Sequence, residues 1–310
     1  MNILRLVLSG DMNLSTKLEI LRLKTMTLVR MFSNHLKRNP KFHNGQIKSP
    51  DEEFGVYDYK GFKFYYNNDG IRTNSLKSGE WSYDEEITPV ITDELSKADC
   101  PIFVDIGAHT GFMTLNVLAK IPSVQVFAFE PGQYQRALFE KTIEANKLTD
   151  KVTLYKEALG RETGTTSFIS QESPDADWSM NNGLLDTGRG LGRQKQTTVH
   201  VQTVDNWWKI AGKPEVNVVK MDTEGAELWI LQGGTEFLST CKPTIFLEIN
   251  PLNLHAYPYG ARDILVWLDK HNYYVKTLGG VLVMPDNLKR ILKTNEFFVA
   301  RPKAGLNNER

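Results

Sequence analysis

From residue 102 onward, short apolar runs alternate with segments of helical periodicity. The runs at 102–106, 124–129, 152–158, 199–204, 216–221, 244–249, 272–278 and 295–301 read as strands. Strands that alternate with helices predict βαβ units and a mostly parallel sheet. Upstream, FGVYDYKGFKFYY at 54–66 alternates aromatic and polar positions around Lys60-Gly61 and predicts a β-hairpin. Further upstream, Thr16 and Glu19 form a capping box ahead of Leu18, Leu21, Leu28, Phe32 and Leu36 at helical spacing, and Pro40 ends the pattern. Between 171 and 196 periodicity disappears in a polar stretch holding Gly183, Gly188, Gly190 and Gly192, which predicts a long loop. The chain therefore divides into a helical arm, 1–50, and a domain, 51–310, made of cap elements at 51–98 and an α/β core at 99–310.

Charge changes this picture at one end only. The chain is balanced at 37 basic and 37 acidic residues. Its first fifty residues nevertheless carry Arg5, Lys17, Arg22, Lys24, Arg30, Lys37, Arg38, Lys41 and Lys48 against Asp11 and Glu19. The arm is thus a basic amphipathic helix, suited either to packing on the protein or a second copy, or to lying on an anionic membrane surface. The acidic remainder offers no broad attraction for nucleic acid. Cys100 and Cys241, the only cysteines, match no disulfide or zinc spacing, and no apolar run approaches a membrane span, so a cytoplasmic protein is expected.

The chemistry concentrates in FVDIGAHTGF, residues 103–112, where a buried strand ends in Asp105 and enters a turn with Gly107 and Gly111 before a helix. Glycines permit a tight turn and close approach to a ligand, and the helix start offers free N–H donors. A purely structural turn would look similar. The next strand, VFAFE, ends in Glu130, nineteen residues after Gly111. A carboxylate there can accept both hydroxyls of a ribose, although it could also cap the helix after Pro131. Dinucleotide sites use GxGxxG, whereas this turn reads GAHTG, with Ala108 and His109 where a pyrophosphate would approach. An adenosyl sulfonium cofactor, which has no phosphate, suits the looser turn.

VDIGAHTG, FAFEP, EALG at 157–160, TVDNW at 203–207 and VVKMDTEGAE at 218–227 together resemble the FkbM-type methyltransferase family. The resemblance spans roughly 55–300 and is most specific in KMDTEGAE; the first two motifs are common to class I methyltransferases. Family members commonly have a second acid where Asn206 stands, so Asp205 alone is carried over. The resemblance implies a Rossmann-like α/β fold with a seven-stranded, mostly parallel sheet whose last strand is antiparallel, and methyl transfer to a hydroxyl of a small molecule or glycan. S-adenosyl-L-methionine is the expected cofactor, held by Asp105, Gly107, Ala108, His109, Thr110, Gly111, Glu130, Pro131, Glu157, Ala158 and Asp222. Residues 54–95, with Trp81, Tyr83 and Glu86, are expected to cap the pocket.

KMDTEGAE also reads from its residues. Val216, Val218, Lys220 and Asp222 share one face of a strand expected at the sheet's centre, where a lysine is costly to bury unless paired. Lys220 either forms a structural ion pair with Glu248 or faces the reaction centre with Asp222. Glu224 and Glu227 are expected in the first turn of a helix 224–232 ended by Gly233-Gly234, where capping accounts for at least one of them. Asp205 is read as an N-cap, and Trp207 and Trp208 as packing. Catalytic candidates are Lys220, Asp222, Glu224 and His255, and substrate-binding candidates are Glu227, Glu248, Trp81 and Tyr83. Asp222, Glu224 and Glu248 offer oxygens to a hard cation, but their spacing is unlike a dedicated metal loop, and no metal is expected. An NAD-dependent oxidoreductase and an inactive nucleotide-binding interaction module are the rival readings.

Overall fold

The computed structural model describes residues 54–67, 86–172, 182–187 and 193–303. The expected arm helix, the boundary near residue 50, and Trp81 and Tyr83 lie outside these residues. The hairpin forms where predicted: β1 (Phe54–Tyr59) pairs antiparallel with β2 (Phe62–Asn67), with Lys60 and Gly61 at positive φ in the turn. After α1 (Thr88–Leu95) the α/β core begins with β3 (Ile102–Ile106), α2 (Phe112–Lys120), β4 (Gln125–Phe129), α3 (Gln133–Ala145) and β5 (Val152–Tyr155). It resumes with β9 (Val218–Met221), β10 (Thr244–Glu248), β11 (Tyr273–Thr277) and β12 (Phe297–Pro302). These seven strands form one sheet in the order β11-β12-β10-β9-β3-β4-β5, in which β12 alone runs antiparallel to its neighbours. This is the Rossmann-like arrangement expected.

Both faces of the sheet are covered, which is why its strands read as continuous apolar runs. Phe103, Val126, Val218, Phe246 and Val299 bury toward Ile91, Leu95, Leu115 and Phe139 on one side. Val104, Ile106, Val219, Ile245, Leu247 and Phe298 bury toward Trp207, Ile230, Phe237 and Leu268 on the other. Strand order reverses between β3 and β9, so the crevice at their carboxyl ends is where an open α/β sheet places its ligand.

Three sequence expectations need correction. The strand expected at 152–158 breaks after Tyr155, and β6 (Ala158–Leu159) instead pairs with β8 (Arg193–Gln202) in a separate sheet completed by β7 (Gly164–Glu172). Residues 171–172 and 193–196, expected in the loop, belong to β7 and β8. This hairpin buries little beyond Phe168 and Val201, so its Thr, Ser and Gln positions carry no apolar signal. Third, the helix expected from 224 begins at α5 (Glu227–Gln232), because Glu224 and Gly225 adopt left-handed φ of 57° and 110°. The two tryptophans pack as expected within α4 (Val204–Ile210), both buried.

Asp205 does cap a helix, but a different one from its own. Thr203 caps α4 by accepting from Asn206 N, while the Asp205 carboxylate accepts from Glu236 N (3.1 Å) and Phe237 N (2.8 Å) at the start of α6 (Thr235–Cys241). Asp205→Ala should therefore cost about 1–2 kcal/mol in thermal or denaturant unfolding, the range for a lost N-cap. An unchanged midpoint would show that α6 does not rely on this cap.

Candidate functional site

The turn after β3 is shaped by packing as much as by ligand access. Gly107 (φ 77°) lies so close to the end of β9 that a Cβ there would sit 1.9 Å from the Asp222 carbonyl oxygen. Gly111 (φ 85°) faces the Phe139 ring, which a Cβ would meet at 2.1 Å. The amides of Gly107 and Ala108 both donate to the Phe129 carbonyl, which ties the turn to the end of β4. His109 between the two glycines is also left-handed (φ 52°). Its ring lies 6.5 Å from that of Tyr66, so the aromatic hairpin stands beside the turn. Tyr59 and Lys60 donate to the Asn116 side chain on α2, and Tyr65 N donates to Thr142 on α3, which fixes the hairpin there.

Two buried charge centres flank this turn. Glu130, 5% exposed at the end of β4, accepts from His109 N (2.8 Å) through Oε2 and from Gly132 N (2.7 Å) through Oε1. Burial pushes its carboxyl up to about 7, against the pull of those two amides. The second centre is Lys220, whose Nζ lies 3.6 Å from Asp105 Oδ1 and 3.5 Å from Asp222 Oδ2, and donates to the Gly107 carbonyl at 3.2 Å. Asp105 is fully buried and takes a further hydrogen bond from Thr114 on α2 (2.8 Å). Its burial raises the carboxyl above the usual range, with Lys220 and Thr114 acting in the opposite sense.

The described ion pairs of Lys220 are thus with Asp105 and Asp222, which favours the reading that set it beside Asp222 over the alternative of a pair with Glu248. Parallel register sets Lys220 beside Asp105 on β3 and beside Phe246, two residues short of Glu248, on β10. Glu248, also buried, takes Asn253 Nδ2 (3.1 Å) and Asn250 Nδ2 (3.5 Å) from α7 (Pro251–Leu254) and the residue before it. The geometry accordingly unites Asp105, Gly107, Lys220 and Asp222, and separately Glu130, His109 and Pro131, whose carbonyl accepts from Arg136 (3.1 Å). Thr110 is buried in the turn, and Glu157 is half-buried ahead of Ala158 in β6. Glu227 is buried, and its Oε1 accepts from Thr223 and Gly225 within its own loop. Glu224 is half-buried in that loop, and His255 is an exposed residue at the end of α7. Glu86 is exposed just ahead of α1. Among the described residues no cluster of His, Cys, Asp and Glu is arranged to hold a metal ion, and no helix is long and apolar enough to cross a membrane.

Sequence reasoning missed Thr114, Asn253 and the tyrosines Tyr257 and Tyr259. Thr114 lies nine residues after Asp105, about one turn into the following helix, a spacing that could have flagged it. The others come from a segment that only the fold brings near 222–226.

A Rossmann-like sheet with an acid near the carboxyl end of each of its first two strands, Asp105 in β3 and Glu130 just after β4, has a class I methyltransferase architecture. Residues 105–275 match the Methyltransferase FkbM domain, and the chain belongs to that family. It is 26% identical over 207 residues to the 2-O-methyltransferase NoeI of Sinorhizobium fredii (strain NBRC 101917 / NGR234), covering 64% of this chain and 79% of that protein. It is 26% identical over 147 residues to Methyltransferase 1 of Beauveria bassiana (strain ARSEF 2860), covering 44% and 59%. Among solved structures, the methyltransferase FkbM from Methylobacillus flagellatus KT aligns with 15% identity and a TM-score of 0.42, over 65% of this chain and 44% of that one.

Glu130 and Glu227 both hold a proton more tightly folded than unfolded, with carboxyls raised from 4.5 to about 7 by burial. Their contribution to stability is full below about pH 4.5 and is lost as pH rises through about 7. Glu130→Gln and Glu227→Gln should each flatten the fall in stability between pH 5 and 8, by up to about 3 kcal/mol. A slope identical to that of the parent chain in both variants would contradict this reading of the two acids.

Proposed function

We propose that the chain transfers the methyl group of S-adenosyl-L-methionine to a hydroxyl oxygen of a small molecule or glycan. The observation that carries the cofactor assignment is the buried Glu130 carboxylate, fixed by two backbone amides at the carboxyl end of β4 beside the glycine turn. Each of its oxygens takes one amide and retains a lone pair for a ribose hydroxyl. Asp105 is fully buried and its Oδ1 faces the Lys220 ammonium at 3.6 Å, so the first strand's acid shapes the turn through the charge centre behind it. These residues fit an adenosyl group. Glu130 and the turn from Gly107 to Gly111 would hold it, with Pro131 next in the chain and Glu157 and Ala158 just beyond the end of β5 as further candidates.

When bound, the cofactor supplies an electrophilic methyl on a sulfonium. The chain must orient an acceptor hydroxyl and take its proton. Asp222 is the rim carboxylate assigned that role: its side chain is 20% exposed, whereas Asp105 behind it is sealed. Lys220 holds Asp222 in place from below and offsets the charge of both acids. Glu224 remains an alternative base on the same loop, and His255, exposed at a helix end, is a weaker one. The relative NoeI is named as a 2-O-methyltransferase, which supports oxygen as the accepting atom.

The oxidoreductase reading fares worse, since a left-handed His109 occupies the turn where a dinucleotide fold places its second glycine. The inactive-module reading is opposed by the intact charge centre around Lys220. Both cysteines are free, which supports a reducing, cytoplasmic setting. Nucleic acid is not expected as a partner, because the chain beyond its first fifty residues is net acidic.

Calorimetry with S-adenosylhomocysteine and NAD tests the assignment. The homocysteine should bind and NAD should not, and Glu130→Ala should weaken binding by about 1.5–3 kcal/mol, the range for hydrogen bonds to a charged group. Because ribose hydroxyls donate best to the ionised carboxylate, affinity should rise with pH through about 7 in the parent chain. Tighter binding of NAD than of the homocysteine would overturn the cofactor assignment.

A further inference from the structure

The loop between β9 and α5, residues 222–226, carries the carboxylate assigned to proton removal, yet its backbone is unusual. Glu224, a residue with a side chain, sits at φ 57°, and Gly225 follows at φ 110°. Consecutive left-handed residues persist only where their surroundings over-determine them. Here one atom does much of that. Oε1 of Glu227 accepts from Thr223 N (3.0 Å), Thr223 Oγ1 (2.9 Å) and, at longer range, Gly225 N (3.4 Å).

Packing closes the loop from outside. Tyr259 Oη donates to the Gly225 carbonyl at 2.5 Å, and a Cβ on Gly225 would meet the Tyr257 ring at 2.4 Å. Gly183, paired through its backbone to Ile169 on β7, brings its segment against Glu224, where an added Cβ would lie 3.6 Å from the Glu224 Cβ. Glu227 itself is 1% exposed. A carboxylate so enclosed, with one oxygen committed to three donors of its own loop, is poorly placed to meet an acceptor.

We infer that Glu227 is a positioning residue, which holds the 222–226 loop in the conformation that presents Asp222, and that it does not bind the acceptor. The inference rests on the role proposed for Asp222, but the hold on the loop can be measured without it. All three donors go to Oε1, so a glutamine, whose carboxamide oxygen can take the same three, should preserve the loop, whereas alanine should release it.

The test is site-resolved hydrogen exchange on the full chain and its Glu227→Gln and Glu227→Ala variants, with the amides of Glu236 and Phe237 as internal references. Glu227→Ala should speed exchange at Thr223 and Gly225 by about tenfold or more, the factor for losing hydrogen bonds to a charged group. Glu227→Gln should stay within about threefold of the parent chain, a rescue that general loss of packing would not produce. If Glu227→Ala fails to fold, Thr223→Val removes one of the three donors, the Oγ1 hydroxyl, and Gly225 exchange should then rise while the references hold. Protection that survives in Glu227→Ala, or glutamine exchanging as fast as alanine, would overturn the inference. Failure to bind S-adenosylhomocysteine would remove the functional reading and leave the exchange result standing, so the two failures are distinguishable.

Discussion

The arrangement around the crevice depends on keeping one ammonium group charged inside the sheet. Lys220 is 5% exposed on the fourth of seven strands, and an isolated charge there would be costly to desolvate. Its compensation comes from three directions: Asp105 on the neighbouring strand, Asp222 at the end of its own, and the carbonyl of Gly107 in the turn. Asp105 in turn is held by Thr114 from the following helix. The requirement to satisfy one buried cation thus ties the glycine turn, two central strands and a helix start into a single polar unit. Both the expected cofactor side and the expected reaction side are anchored to it.

Strand parity explains why the acids converge. Phe103 and Asp105, Ala128 and Glu130, Val218 and Lys220, and Phe246 and Glu248 occupy alternate positions on four adjacent strands, with the apolar member of each pair in the same core. Each pair therefore buries its first residue among α1, α2 and α3 and carries its second toward the carboxyl edge. The core on that face sets the height at which the polar residues emerge. A one-residue slip of β9 would exchange Lys220 with Met221 and place the methionine among the acids.

Much of this was legible in the sequence, for identifiable reasons. Strands buried on both faces announce themselves as apolar runs, so β3, β4, β10 and β11 fall within a residue of their expected limits, and Asp105 and Glu130 stand out at strand ends. Register is not written locally, so Asp222 was set beside Lys220 from the sequence, whereas its second partner, Asp105 on β3, was not. Polar hairpins such as β7 and β8 resemble loops because they bury few side chains. Glu227 was read both as a candidate helix cap and as a candidate acceptor contact, since an acid in a first turn has the same spacing whether it faces outward or closes its own loop. Only the left-handed backbone at Glu224 and Gly225 separates those cases, and residue type does not reveal it for Glu224.

The claim that Lys220 joins turn and strand as one unit is tested most directly by a double-mutant cycle between Lys220→Met and Asp105→Asn, read out as affinity for S-adenosylhomocysteine. Residues of one buried charge network are strongly non-additive. Each single change should weaken binding by about tenfold or more, and the double variant should be no worse than the poorer single one, a coupling of at least about 1 kcal/mol. Losses that simply add, or full affinity in Lys220→Met, would contradict the account.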